Sequence, residues 1–304
     1  MRVCLWFLRI EKLPEERVVM ICPVCQSEAR RLFSQHDYWI YECRGCQHRC
    51  AGVPDPDQHV ARVYGDAYFS GGGAGYSNYL GERSLLIEHG RRYGELLARY
   101  TARGRLLDVA AAAGFILRGL CECGWDGEGI EPNVCMAAYA RSHVQVQVYP
   151  TTFEEFRSTE SYDVVTMIQV IAHFLDPRVA MEKAKQLLRP GGHLLIETWN
   201  RGSWTARLFG YRWHEYNPPS VVQWFTPEGL SHLASQYTFR EIARGRPVKR
   251  LNGAHAKSLL RHVLPSSRLG RWGARAITLI PDDLAIPYPA EDLFWILFQR
   301  SAEA

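Results

Sequence analysis

No stretch of the 304-residue chain approaches the run of about 18 apolar residues that a membrane span needs. The first apolar run, Val3 to Leu8, follows a single Arg2 and gives way at once to the charged stretch Arg9 to Glu16. It lacks the longer apolar core and small-residue cleavage site of a secretory signal, so a cytoplasmic protein is expected. Excess charge is also scarce. With 36 basic and 32 acidic side chains the formal net charge is +4, too mild to argue for nucleic acid by itself. The cysteines number nine, an odd count that suits metal ligands and buried thiols better than a disulfide framework. Internal repeats and low-complexity tracts are missing. What remains, 47% hydrophobic and 22% charged, is an ordinary globular chain long enough for one or two cored domains.

Four of the cysteines form two pairs, Cys22-Pro-Val-Cys25 and Cys43-Arg-Gly-Cys46, with 17 residues between them. That spacing matches a four-cysteine zinc site. Each pair on a tight turn brings two sulfurs to one ion, and two turns complete a tetrahedron. Four thiolates leave no open position, so Zn2+ here is expected to be structural. Tyr38, Ile40 and Tyr41 can supply the few apolar side chains, and metal binding most of the folding energy. His48 and Cys50 are surplus to the tetrahedron; Cys4, Cys121, Cys123 and Cys135 are scattered. Four free thiols or a redox pair is the alternative. The expected division is an extension over 1–19, a zinc-ribbon module over 20–52, a linker and N-terminal helical lid over 53–103, and an α/β domain over 104–304. Met20 is a candidate true start. Residues 53–58 form a turn-rich connector, and the glycine-rich stretch Ser70 to Gly75 interrupts the helix formers of the lid.

From Arg105 the pattern alternates. Strands are expected at Arg105–Ala110, Asp126–Glu131, Val144–Val148, Tyr162–Ile168 and His193–Thr198. Helices are expected at Phe115–Cys123, Asn133–Ser142 and Arg178–Leu188, the last stopped by Arg189-Pro190-Gly191-Gly192. Such alternation means a parallel sheet with helices on both faces. Two late strands are expected at Phe239–Arg244 and Leu293–Phe298. Between them the basic segment 249–275 carries leucines at helical spacing and reads as helices with a solvated basic face, or as a surface for an anionic partner. Within the first unit, the apolar strand Leu106 to Val109 runs into a turn of small residues, and a helix opens behind it. Small residues let backbone approach a ligand, and a helix N-terminus offers free N–H groups. Glu131 follows Asp108 by 23 residues, near the spacing at which a carboxylate accepts from ribose hydroxyls.

These residues resemble the class I S-adenosylmethionine (SAM) dependent methyltransferases over about residues 60–300. Asp108-Val-Ala110-Ala-Ala112-Ala-Gly114 is similar to the family's first motif, in which glycine occupies the positions of Ala110, Ala112 and Gly114. Glu131-Pro132 resembles the ribose-binding acid, and Thr152 to Phe156 the loop bordering the adenine. Tyr162 to Val165 is similar to the fourth strand, and Gln169 to His173 to the segment facing cofactor and acceptor. Leu187 to Gly192 is similar to the turn before the fifth strand. The resemblance implies a Rossmann-like seven-stranded methyltransferase sheet with an antiparallel last strand, behind a small N-terminal zinc ribbon. It implies SAM as cofactor, held by Asp108, Ala110, Ala112, Gly114, Phe115, Glu131, Pro132, Phe153, Glu154 and Gln169, with Tyr68 and Tyr76 from the lid. An alanine at a left-handed position is strained by about 1 kcal/mol or more.

Methyl transfer is an in-line displacement in which the protein aligns the acceptor and can remove a proton. His173, after the fourth strand, is the first candidate base, although the family branch with this ribbon usually has a carboxylate where Ala172 stands. His214, in the aromatic stretch Arg212 to Pro219, is the second. O-methylation of a small-molecule acceptor, a sugar, lipid or secondary metabolite, is the expected reaction. A catalytically impaired interaction module and an RNA methyltransferase are the alternatives. A nucleotide dehydrogenase fits the strand–turn–acid spacing alone, but the resemblance at Arg189 to Gly192 speaks against it.

Overall fold

The computed structural model describes residues 20–56, 58–69, 79–251, 253, 281, 284, 286–288 and 290–302. The extension 1–19, the glycine-rich stretch, Tyr76 and most of the basic segment lie outside the described residues.

The N-terminal strands are β1 (Met20–Ile21), β2 (Glu28–Gln35), β3 (Tyr38–Cys43) and β4 (Arg49–Ala51). Helices α1 (His59–Val63), α2 (Asp66–Phe69) and α3 (Arg83–Leu97) follow. The alternating unit is β5 (Arg105–Val109), α4 (Phe115–Glu122), β6 (Asp126–Ile130), α5 (Val134–Tyr139), β7 (Gln147–Tyr149), β8 (Tyr162–Ile168), α6 (Pro177–Leu187) and β9 (Leu188–Trp199). Then come α7 (Trp204–Phe209), β10 (Gln223–Trp224), α8 (Pro227–Ser235), β11 (Phe239–Gly245), β12 (Lys249–Leu251), β13 (Ile286–Tyr288) and β14 (Leu293–Arg300). The seven-stranded sheet runs β11-β14-β9-β8-β5-β6-β7, with β14 antiparallel to both neighbours and the rest of the ladder from β9 to β7 parallel. The chain is thus a mixed α/β protein with a Rossmann-like seven-stranded sheet and a four-cysteine cluster near its N-terminus.

Local chemistry accounts for the element ends. Asn133 caps α5 by accepting from Met136 N at 2.9 Å, and Asp176 caps α6 ahead of Pro177 by accepting from Arg178 N at 3.0 Å. Three expectations shift. The helix after Asn133 ends in a wide turn over Ala140–Val144, closed by Gln145 at φ 61°, so the strand begins at Gln147 and not at Val144. Val144, Val146 and Val148 still bury alternately, which is why the stretch reads as one strand. The Arg189 to Gly192 turn lies inside β9, as an irregularity between the Tyr162↔Leu188 and Val164↔His193 pairs. Lys249–Leu251 forms a strand paired with β13, not the start of a helix.

One packing contact sets the site's lid side. Gly90, Tyr93, Gly94 and Leu97 share the buried face of α3 at helical spacing. A Cβ on Gly90 would run into the Ile116 carbonyl of α4, and one on Gly119 into the Ile87 carbonyl of α3. The two helices therefore meet backbone to backbone, and α3 is held at a fixed height over the sheet.

Candidate functional site

The four ribbon sulfurs, Cys22, Cys25, Cys43 and Cys46, lie within 4.8 Å of one another. Cys22 Sγ is 3.6 Å from Cys46 Sγ, and Cys25 Sγ is 3.3 Å from Cys43 Sγ. Tetrahedral zinc with Zn–S bonds of about 2.3 Å needs sulfurs about 3.8 Å apart, so the donor set fits the ion. Backbone N–H groups of Val24, Gly45 and Cys46 point at the sulfurs from 3.3 to 3.4 Å, an arrangement that favours thiolates. His48 is buried and pairs through Nε2 with Gln223 Oε1 at 2.8 Å, outside the cluster. The ribbon does not stand apart. β4 pairs with β10 (Cys50↔Gln223, Arg49↔Trp224), and Val24 and Cys22 join the core beneath β8 and β9.

A cavity of about 440 Å³ opens at the carboxyl ends of β5, β6 and β8. The turn after β5 forms part of its floor. Ala111 N donates to Ile130 O at 2.9 Å, stitching that turn to the end of β6. Ala110 has φ 54°, Ala112 φ 48° and Gly114 φ 75°. All three motif positions are left-handed, so the two alanines hold a backbone path that glycine adopts without strain.

Two carboxylates face this turn. Glu131, following β6, accepts from Ala112 N at 2.9 Å and from Asn133 N at 2.8 Å. Asp108 accepts from Thr166 Oγ1 at 2.7 Å. Burial pushes the pKa of each up to about 7, against the hydrogen bonds that pull it down. Pro132, Phe153, Glu154, Gln169 and Tyr68 also line the cavity. Tyr64 closes the lid side: its hydroxyl donates to Ser220 O at 2.8 Å, and its carbonyl accepts from Asn133 Nδ2 at 3.2 Å.

Gly114 and Phe115 do not reach the cavity lining. A Cβ on Gly114 would sit 2.5 Å from Val146 Cγ2, and Phe115 is fully buried with its ring stacked on Tyr79 at 5.7 Å. Of the two expected bases, His173 lines the cavity. Its Nδ1 lies 2.7 Å from Ser220 O, its ring edge meets Tyr64, and burial holds its pKa below the usual imidazole value. His214 does not line it: the ring is 42% exposed, pairs with Glu215 at 3.0 Å and packs against Trp199 and Trp213. Its position in an aromatic stretch reflects that packing.

Sequence reading missed two groups, one on the cavity wall and one behind it. Glu197 is fully buried near the end of β9, and His89 lines the cavity from α3. The visible signal was a lone acid ending the apolar run Leu194 to Ile196.

The sequence profile of the methyltransferase domain family matches residues 83–243, more than half of the chain. The chain belongs to this family. The ubiquinone biosynthesis O-methyltransferase of Saccharophagus degradans is 27% identical over 176 residues, 51% of this methyltransferase and 68% of that enzyme. Its namesake in Nitrobacter winogradskyi is 27% identical over 145 residues, 46% of this chain and 53% of that one, so the match spans little more than half of the second relative. Among solved structures, the Bacillus subtilis YcgJ protein superposes at a TM-score of 0.50 with 18% identity, covering 70% of this chain and 99% of its own. A chain of the complex between the Haloferax volcanii Trm112 methyltransferase activator and a methyltransferase gives 0.50 at 14%, covering 72% and 93%. At these identities the structural likeness concerns the fold alone. No helix among the described residues is long and apolar enough to cross a membrane.

Proposed function

We propose that this methyltransferase transfers a methyl group from SAM to an oxygen of a small-molecule acceptor. The observation that carries the cofactor assignment is Glu131. It is a buried carboxylate at the rim of the sheet, its two oxygens each fixed by one backbone N–H and each keeping acceptor capacity for a ribose hydroxyl. The backbone of Ala110 to Ala112 and Asp108 would border the amino-acid and ribose end. Phe153 and Glu154 would border the adenine, Gln169 the boundary between cofactor and acceptor, and Tyr68 with Pro132 the remaining wall. When bound, SAM supplies the activated methyl group; the protein orients the acceptor and excludes water.

The left-handed backbone at Ala110 and Ala112 favours this reading over an impaired interaction module, because the turn keeps the path needed for close approach. A net charge of +4 favours a small molecule over RNA as acceptor. The O-methyltransferase names of the relatives favour oxygen as the methylated atom. Two imidazoles line the cavity and could take a hydroxyl proton, His173 and His89. We assign the protein to the cytoplasm, Zn2+ to the ribbon as a structural ion, and the functional units to 20–52, 53–103 and 104–304.

Calorimetric titration of the zinc-replete protein with SAM and its demethylated product tests the proposal. Micromolar binding that disappears in Glu131→Ala is expected. A well-folded sample that binds neither would overturn it.

A further inference from the structure

Glu197 carries no exposed surface, yet it gathers two donors from α3 and one from the segment after β8. His89 Nε2 of α3 lies 2.8 Å from Oε2. The Tyr93 hydroxyl, one turn further along α3, donates to the same oxygen. Gln169 Nε2, just past β8, donates to Oε1 at 2.8 Å. With Nε2 donating to Glu197, a neutral His89 would keep its lone pair on Nδ1, the tautomer that the arrangement of donors around the carboxylate favours. His89 and Gln169 both line the cavity, and Gln169 ties the cluster to the segment that follows β8.

We propose that His89 accepts the acceptor's hydroxyl proton during methyl transfer and that Glu197 is its positioning residue. This rests on the methyltransferase reading above. The acceptor oxygen bonds to the methyl carbon as the carbon–sulfur bond of the sulfonium breaks, and sulfur keeps that electron pair. The hydroxyl proton passes to Nδ1 of His89. The resulting imidazolium faces a buried carboxylate, so the charge formed on the ring is compensated where it forms. His173 differs in that its Nδ1 meets the neutral Ser220 carbonyl and not a carboxylate. The dyad also explains a buried acid in the sheet core, where an isolated charge is costly. The helix that carries His89 lies backbone to backbone against α4 one residue further on, at Gly90.

The test uses the full, zinc-replete chain, with SAM as donor and catechol as the probe acceptor. Nitrogen-15 histidine spectra of the wild type should place the His89 proton on Nε2 and leave Nδ1 bare; a proton on Nδ1 would overturn the proposal without any variant. His89→Ala should bind SAM within about threefold of wild type and lose turnover by a hundredfold or more, the usual scale for a general base. Added imidazole should restore part of that turnover, which repair of a packing defect would not do. Glu197→Gln should lose turnover and the Nε2 tautomer together. Undiminished turnover in His89→Ala, or loss without imidazole rescue, would sink the dyad while leaving SAM binding intact. Failure of the wild type to bind SAM would instead count against the methyltransferase reading.

Discussion

Ala110 and Ala112 show how much one methyl group decides. Each sits at a φ near 50° that costs an L-residue about 1–2 kcal/mol, while glycine gives back about 0.5–1 kcal/mol in unfolded-state entropy. Ala110→Gly and Ala112→Gly should therefore each stabilise the fold by about 0.5–1 kcal/mol in urea denaturation. A loss of stability at either position would show that the methyl groups contribute packing that outweighs the strain. The carboxylates make a second prediction. Glu131 and Asp108 have folded pKa values raised to about 7, above their unfolded values, so below about pH 7 the empty site holds protons. In the proposed site ribose hydroxyls would donate to the ionised carboxylate, and SAM binding would then release a proton there. Affinity should be flat above pH 7 and fall about tenfold per pH unit below it for one displaced proton. Calorimetry at pH 5.5, 6.5 and 8 in buffers of different ionisation heat checks both the slope and the proton release.

Helix α3 lines the cavity and lies against α4 through two glycines, Gly90 and Gly119. Gly90→Ala places a methyl on the Ile116 carbonyl, and neither backbone can retreat without unseating Tyr93 and Leu97 from the core. Overpacking of this kind costs about 1–3 kcal/mol. The expected result is a lowered thermal midpoint, together with weaker docking of His89 on Glu197 as read by the His89 ring resonances. Unchanged stability would mean that α3 can rise from the sheet freely. The helix formers over 53–103 were legible, but the element that α3 packs against was not. Nothing local in Gly90 or Gly119 names its partner.

The whole molecule joins its two folding units through strand β10. Gln223 and Trp224 extend the ribbon sheet, Ala51 N donates to Val222 O at 2.9 Å, and Gln236 Nε2 donates to Val24 O at 2.9 Å. On the proposed reading of the ribbon as a structural zinc site, the ion would supply most of the folding energy of a module with little core of its own. Chelation with a strong zinc ligand, or Cys43→Ser, should release the ribbon and also lower the midpoint of the seven-stranded domain, since Cys22 and Val24 fill part of its core. Calorimetry should show the main transition moving downward. A main transition unmoved by zinc removal would mean that the shared strand and core contacts carry no stability.

By itself the sequence determined the order of strands and helices from β5 to β9, the four-cysteine cluster and the acid that follows β6. Each is written in local spacing: a hydrophobic period, a pair of cysteines on a turn, an acid at the end of a strand. The tertiary structure alone decided that β14 slots between β9 and β11, that β10 leaves its neighbours to complete the ribbon sheet, and that His89 meets Glu197 across 108 positions of chain. It also set His214 aside among tryptophans and put Phe115 in the core. Long-range pairings of this kind depend on which faces remain to be covered once the sheet has formed, and no local pattern records that.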